Sequence, residues 1–133
     1  MPGDLLLVRK DAYREGRLPR RGDIVVFERK GERDYFVKRV IGLPGETISI
    51  YPQGVAIDRQ WLREPYVAPE IVMEYPMQCR VREGEYFLMG DNRAHSEDSR
   101  DTGPVKLEAI RGKVTAVILP LLRRCKITNP FVD

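Results

Sequence analysis

The turn Gly42-Leu43-Pro44-Gly45, followed by Thr47-Ile48-Ser49-Ile50-Tyr51, constrains this 133-residue chain more than any other stretch. Glycine and proline stop whatever precedes them. The five residues that follow alternate with period two, apolar at the even positions, as a half-buried strand does. The same pattern recurs along the chain. Residues 5–10 are apolar then basic, residues 24–27 form a β-branched and aromatic cluster behind the turn Arg21-Gly22-Asp23, and residues 35–41 form another. Pro52-Gln53-Gly54 returns the chain into a strand over 55–57, and further strands are expected at 71–75, 85–89 and 113–119. Helical periodicity is scarce: only residues 104–110 offer a proline-led start followed by good helix formers, enough for a turn or two. The expected class is therefore a mostly β domain.

A chain of this length makes one domain and buries roughly 68% of its unfolded surface, enough for a core without disulfides. Its 23 Lys and Arg against 20 Asp and Glu leave a net charge of +3, and the charges are scattered, which argues against nucleic-acid binding. The two cysteines, Cys79 and Cys125, form no Cys-x-x-Cys, and His95 is the single histidine, so a structural zinc site is not expected. The longest apolar stretches, 5–8 and 116–122, fall far short of the ~20 residues that cross a bilayer. The start, Met1-Pro2-Gly3-Asp4, lacks the basic segment and apolar run of a signal peptide. Met1 leads almost at once into a strand-like run, which suggests a chain begun inside something larger. Residues 61–77 carry three prolines with Trp61, Tyr66 and Tyr75 and read as a looped excursion from the sheet. Those aromatics suit either a core edge or a lipid surface, and the core edge is the commoner use.

Two places carry chemistry. The polar run from Gly90 to Pro104 follows the apolar strand Tyr86-Phe87-Leu88-Met89 and holds Ser96 and Ser99, two of the three serines in the chain. Composition alone favours a solvated loop, with Asp and Asn capping turns and Asp98 pairing with Arg100. The second place is Lys38, flanked by Phe36, Val37, Val40 and Ile41, with strand alternation setting it on the opposite face from Val37. A lysine in an apolar β-run is usually an edge or snorkelling residue. Buried among such neighbours, however, an amine loses favour for its charged form, and a neutral amine is a base.

Taken together, Asp34-Tyr35-Phe36-Val37-Lys38-Arg39-Val40-Ile41-Gly42-Leu43-Pro44-Gly45-Glu46 and Gly90-Asp91-Asn92-Arg93 through Ser96, Asp98-Ser99-Arg100 and Gly103-Pro104-Val105 closely resemble type I signal peptidase. Gly3-Asp4-Leu5-Leu6-Leu7-Val8 and Arg21-Gly22-Asp23-Ile24-Val25-Val26-Phe27 resemble two earlier blocks of that family, in the same order. The resemblance runs from Gly3 to about Pro120 and overrides the bland readings of the lysine and the loop.

What it implies is a Ser/Lys endopeptidase at the outer face of a bacterial cytoplasmic membrane, removing signal peptides of the Ala-x-Ala type from exported proteins, without cofactor or metal. The implied fold is a core of antiparallel sheets, folded over or partly closed, with a small β excursion at about 52–84 inside one domain spanning 1–133. Lys38 falls at the family's general base and Ser96 at the hydroxyl that hydrogen-bonds it. Phe36 and Val37 fall where the family lines its pockets for small substrate side chains, and Asp98 and Arg100 where an ion pair shapes the loop. Asp91, Asn92 and Arg93 match residues that fix the loop's turn and so support the site.

The match stops at the nucleophile. The family's serine lies about eight residues before the glycine matching Gly3, ahead of Met1, together with its oxyanion donors and membrane anchor. The expectation is a truncated extramembrane domain, inactive alone, in which neither Ser49 nor Ser99 substitutes. The alternatives are a non-catalytic homologue that binds or scaffolds exported chains and, more remotely, a self-cleaving Ser/Lys repressor, which lacks the long Gly90 to Gly103 motif. Mitochondrial inner-membrane peptidases share Asp98-Ser99-Arg100 and Gly103-Pro104, but the Arg93 block favours the bacterial type.

Overall fold

The computed structural model describes residues 5–67, 76–118, 124–126 and 131. In chain order its strands are β1 (Leu5–Arg9), β2 (Ile24–Glu28), β3 (Tyr35–Gly42), β4 (Thr47–Tyr51), β5 (Gly54–Ile57), β6 (Gln60–Trp61), β7 (Met77–Arg80), β8 (Glu85–Met89), β9 (Val105–Lys106), β10 (Ile110–Ile118) and β11 (Arg124–Lys126). One helical turn, α1 (Ser99–Thr102), and two 3-10 turns are the helical content among the described residues. The strands form two sheets. The larger runs β1-β10-β2-β3-β8-β9, with β11 also pairing β10, and the smaller runs β6-β5-β4-β7. Every described strand pair is antiparallel.

Strand β8 explains how the layers stack. Tyr86 and Leu88 pack with Val25, Phe27 and Val40 on one face of the large sheet. Phe87 and Met89 point the other way and pack with Ile41, Ile48, Ile50, Val55, Ile57 and Val81, which are mostly contributed by the small sheet. A strand buried on both faces reads as an unbroken apolar run, which is why Tyr86-Phe87-Leu88-Met89 shows no alternation. Each fully buried Ile or Phe in these clusters contributes about 1.5–3 kcal/mol.

The passage from one sheet to the other occurs at the Gly42 to Gly45 turn. Between Val40 and Gly42 the register of β3 against β8 shifts by a bulge. A Cβ on Gly42 would lie 2.8 Å from Ile48 Cγ1 and 2.9 Å from Phe87 Cβ, so the backbone there passes closer to its neighbours than a side chain permits. The chain then turns through Gly45, at φ 86°, into β4, where Ile48 and Ile50 are buried as the alternation requires. Strands β4 to β7 form the small sheet, which begins at Thr47, ahead of the excursion expected at about 52–84, and has Trp61 in its edge strand β6.

Two expectations are corrected. Residues 104–110 do not form a helix. Val105 and Lys106 pair with Tyr86 and Glu85, Leu107–Ala109 make a 3-10 turn, and β10 begins at Ile110. Val105, Leu107 and Ile110 all pack against the Tyr86 cluster, and pairing with β8 outweighs the local helix signals. For the same reason the last long strand starts at Ile110, where it faces Phe27, three residues before the expected Lys113. The strand expected at 71–75 lies outside the described residues, whereas Met77–Arg80, which pairs with β4, was not anticipated.

Candidate active site

Lys38 sits where β3 changes from a strand paired on one side to one paired on both. Tyr35 through Lys38 pair with β2, while β8 joins only from Arg39 onward. Phe36, Lys38 and Val40 share a face by alternation, and Phe36 and Val40 belong to the cluster around Phe27. Val37 is on the opposite face and exposed, and Ile41 packs in the other core, so only two of the four apolar neighbours read from the sequence accompany the lysine. Lys38 itself is half-buried.

Strand β8 ends at Met89, opposite Arg39, and the chain leaves the sheet at Gly90. The loop that follows folds back so that Ser96 Oγ meets Lys38 Nζ at 2.9 Å. Gly90 is what permits this return. A Cβ built there would overlap Ser96 Oγ and lie 3.5 Å from Lys38 Nζ. The Ser96 hydroxyl donates to Asp98 Oδ2 at 3.0 Å. A hydroxyl has one proton, so with it committed to Asp98, Ser96 receives a hydrogen bond from Lys38.

Asp98 is the hub of the loop. It is 1% exposed and accepts from the Gly90 N–H at 2.9 Å, the Ser96 hydroxyl, and the Arg100 backbone and guanidinium. Burial alone would push its carboxyl up, but the Arg100 guanidinium and the Gly90 and Arg100 N–H groups together hold it below the usual carboxylate range. Asp98 also caps α1, and Asp101 accepts from the Asp98 N–H in return, a capping box. Arg100 Nη2 reaches the carbonyls of Arg93 at 3.0 Å and Ser96 at 3.4 Å, so the expected ion pair also ties down the ascending limb of the loop.

The residues expected to support the loop act in different ways. Asp91 receives both nitrogens of the Arg39 fork at 2.9 Å, and Arg39 also donates to Gly22 O at 3.0 Å, tying loop, β3 and the turn before β2 together. Asn92 is exposed and contributes through its carbonyl, which accepts the His95 N–H as the 3-10 turn begins. Arg93 is buried: its Nε donates to Gly90 O at 2.7 Å, and its fork grips the Glu64 carboxylate, with Nη1 to Oε1 at 3.1 Å. Phe36 lies against Phe27, with the Arg29 guanidinium 4.1 Å above its ring.

Glu64 escaped the reading of the sequence, and Tyr66 was read there only as an aromatic suited to a core edge or a lipid surface. They belong to the excursion, where Tyr66 donates to Glu64 Oε2 at 2.7 Å and the Arg39 guanidinium stacks 4.0 Å over the Tyr66 ring. Burial and then the Glu64 carboxylate push the Tyr66 hydroxyl far above its ordinary value. The one available signal was an acid two residues before an aromatic in a proline-rich loop. The other serines are engaged elsewhere: buried Ser99 Oγ accepts the Leu88 N–H at 2.9 Å, and Ser49 Oγ accepts from Gln78. Cys79 is a free thiol in β7. Among the described residues no helix is long and apolar enough to cross a membrane, and no three His, Cys, Asp or Glu side chains gather as metal ligands do.

A lysine amine and a serine hydroxyl in direct contact, braced by a buried aspartate, coincide with a match over residues 1–119 to the family described as signal peptidase, peptidase S26. The chain belongs to the signal peptidase family. Signal peptidase I of Bacillus caldolyticus is 41% identical over 126 residues, covering 84% of this chain and 68% of that protein. A probable signal peptidase I-2 of Synechocystis is 36% identical over 132 residues, 95% of this chain, and the chain spans 60% of that relative's length. Among solved structures, a signal peptidase I from Enterococcus faecalis superposes with a TM-score of 0.66 at 33% identity, over 74% of this chain and 98% of that one. The mostly antiparallel β architecture is thus the family's own.

Proposed function

We propose that this chain supplies the base half of a Ser/Lys endopeptidase centre that removes signal peptides from exported proteins. The observation that carries the reading is the hydrogen-bonded series Lys38 Nζ, Ser96 Oγ, Asp98 Oδ2, at 2.9 and 3.0 Å. Because the Ser96 proton is committed to Asp98, Lys38 spends an N–H on Ser96 and the amine is oriented, leaving its lone pair for a proton from elsewhere. In its neutral form the amine takes the proton of a serine hydroxyl as that oxygen attacks the scissile carbonyl. The resulting ammonium returns the proton to the departing amine of the cleaved chain. Water, deprotonated by the same lysine, then releases the acyl group.

The attacking serine is assigned to the family's position, about eight residues ahead of Gly3 and outside residues 1–133. Ser99 and Ser49 have their hydroxyls in the scaffold, and Ser96 is the hydroxyl that aims the base. An extended substrate docks by strand addition beside Tyr35 through Lys38, whose second edge has no partner strand among the described residues. Phe36 and Val37 then meet the small side chains of an Ala-x-Ala sequence. The setting is the outer face of a bacterial cytoplasmic membrane.

The test is turnover of a signal-peptide substrate by a longer chain carrying the preceding segment and by the 133-residue chain. Activity is expected in the first, abolished by Lys38→Ala and weakened by Ser96→Ala, and none in the second. Turnover by the 133-residue chain that Lys38→Ala removes would overturn the assignment of the nucleophile, and an active Lys38→Ala variant of the longer chain would overturn the base.

A further inference from the structure

We infer that Glu64 is a positioning residue for the Lys38 and Ser96 pair, acting through Arg93 and the Gly90 carbonyl. The inference rests on the reading of Lys38 as the base. Glu64 is remote in sequence from both motifs that carry that reading, and lies in the segment following β6. Its side chain is nonetheless 9% exposed, against 6% for Arg93. An ion pair this far from solvent is costly to assemble and strongly directional once formed.

Its geometry leads to one place. Glu64 takes both terminal nitrogens of Arg93 in a fork, which leaves Nε to donate to Gly90 O at 2.7 Å. Gly90 is the residue on which Ser96 Oγ rests and whose N–H is bound by Asp98 at 2.9 Å. The peptide groups at Gly90 are therefore held from two sides, by Asp98 at the N–H and by Arg93 at the carbonyl. Without Glu64 the Arg93 fork loses its counter-charge and its fixed direction, and the floor beneath Ser96 is held from one side only. Tyr66 strengthens the arrangement: it donates to Glu64 at 2.7 Å while its ring carries the Arg39 guanidinium, whose fork binds Asp91 next to Gly90. The small sheet's trailing segment thus holds the catalytic loop at two adjacent residues, Asp91 through Arg39 and Gly90 through Arg93.

The experiment reads the lysine amine directly, without requiring a nucleophile. The 133-residue chain is acetylated with limiting reagent, and the rate at Lys38 is measured by peptide mass spectrometry relative to exposed Lys30 and Lys106 in the same sample. In Glu64→Gln the relative rate at Lys38 is expected to rise at least about twofold, the factor carried by the lower end of one hydrogen bond's net contribution, as the amine is released from Ser96. Tyr66→Phe, which removes only a hydroxyl, is expected to move it in the same sense and serves where Glu64→Gln does not fold. Ser96→Ala marks the scale of a complete release. Folded Glu64→Gln, or Tyr66→Phe in its place, with a Lys38 rate equal to wild type overturns the inference whatever Ser96→Ala does. Ser96→Ala equal to wild type overturns instead the coupling of Ser96 to Lys38 on which the proposed function stands. In the longer chain the same Glu64→Gln change is expected to lower kcat with KM held within about twofold, because it disturbs the base and not the substrate edge.

Discussion

Ser96 Oγ occupies the space that any side chain on Gly90 would need, and the same glycine's N–H is bound to Asp98, the acceptor of the Ser96 proton. The serine, its acceptor and the strand end are thus packed into one interlocked unit beside Lys38. Gly90→Ala is expected to displace Ser96 from the lysine while leaving the cores intact, at about 1–3 kcal/mol of stability, the usual range for an overpacked site. The measurement is a denaturant midpoint together with turnover in the longer chain. Activity retained at the wild-type level would show that Ser96 is not needed where it stands.

Asp98 makes the loop sensitive to acid. Its carboxyl is held below the ordinary 3.8, so the folded state binds this proton less readily than the unfolded chain does. The stabilisation is whole above that ordinary value and is lost as pH falls from there through the folded-state value. In Asp98→Asn this dependence disappears and the buried contact between Asp98 and Arg100 loses its charge on the acid's side, a loss of about 3–5 kcal/mol at neutral pH. Thermal unfolding of the two proteins between neutral and acid pH is expected to give curves that converge on acidification. Parallel curves would refute the assignment.

Ser99 separates structural from chemical roles among the serines. Its hydroxyl is the acceptor for the N–H of buried Leu88 in β8. Ser99→Ala leaves that N–H buried without a partner and is expected to cost about 1–3 kcal/mol. Scaled to folded protein, turnover by the longer chain is expected to be unchanged. Stability unaffected and activity abolished would reverse the assignment of the two roles.

Much of this was legible in the sequence because it was local. Alternation in Thr47-Ile48-Ser49-Ile50-Tyr51 fixed β4, and the glycine-bounded runs located β1, β2, β3, β5 and β8 within a residue or two. The pairing of Asp98 with Arg100 was readable from their separation of two. What was not legible depends on partners distant in the chain. Val105 and Lys106 form a strand because Tyr86 and Glu85 lie alongside, and no feature of residues 104–110 encodes that. Glu64 is the clearest case: an acid in a loop acquires its meaning from an arginine 29 positions away.

Val37 offers a test of specificity apart from catalysis. It precedes Lys38 on β3 but faces the other way, 38% exposed, so shortening it leaves the packing of the lysine's face unchanged. If Val37 forms part of the wall that restricts substrate side chains to alanine size, Val37→Ala enlarges that space by two methyl groups. The expected outcome in the longer chain is improved kcat/KM for substrates with a larger residue immediately, or two further, before the cut, by about 10-fold for a fit worth roughly 1–3 kcal/mol, with little change for alanine. Competition between peptides that differ only at those positions measures the shift. An unaltered preference, with Lys38→Ala still inactive, would remove Val37 from the pocket and leave the base in place.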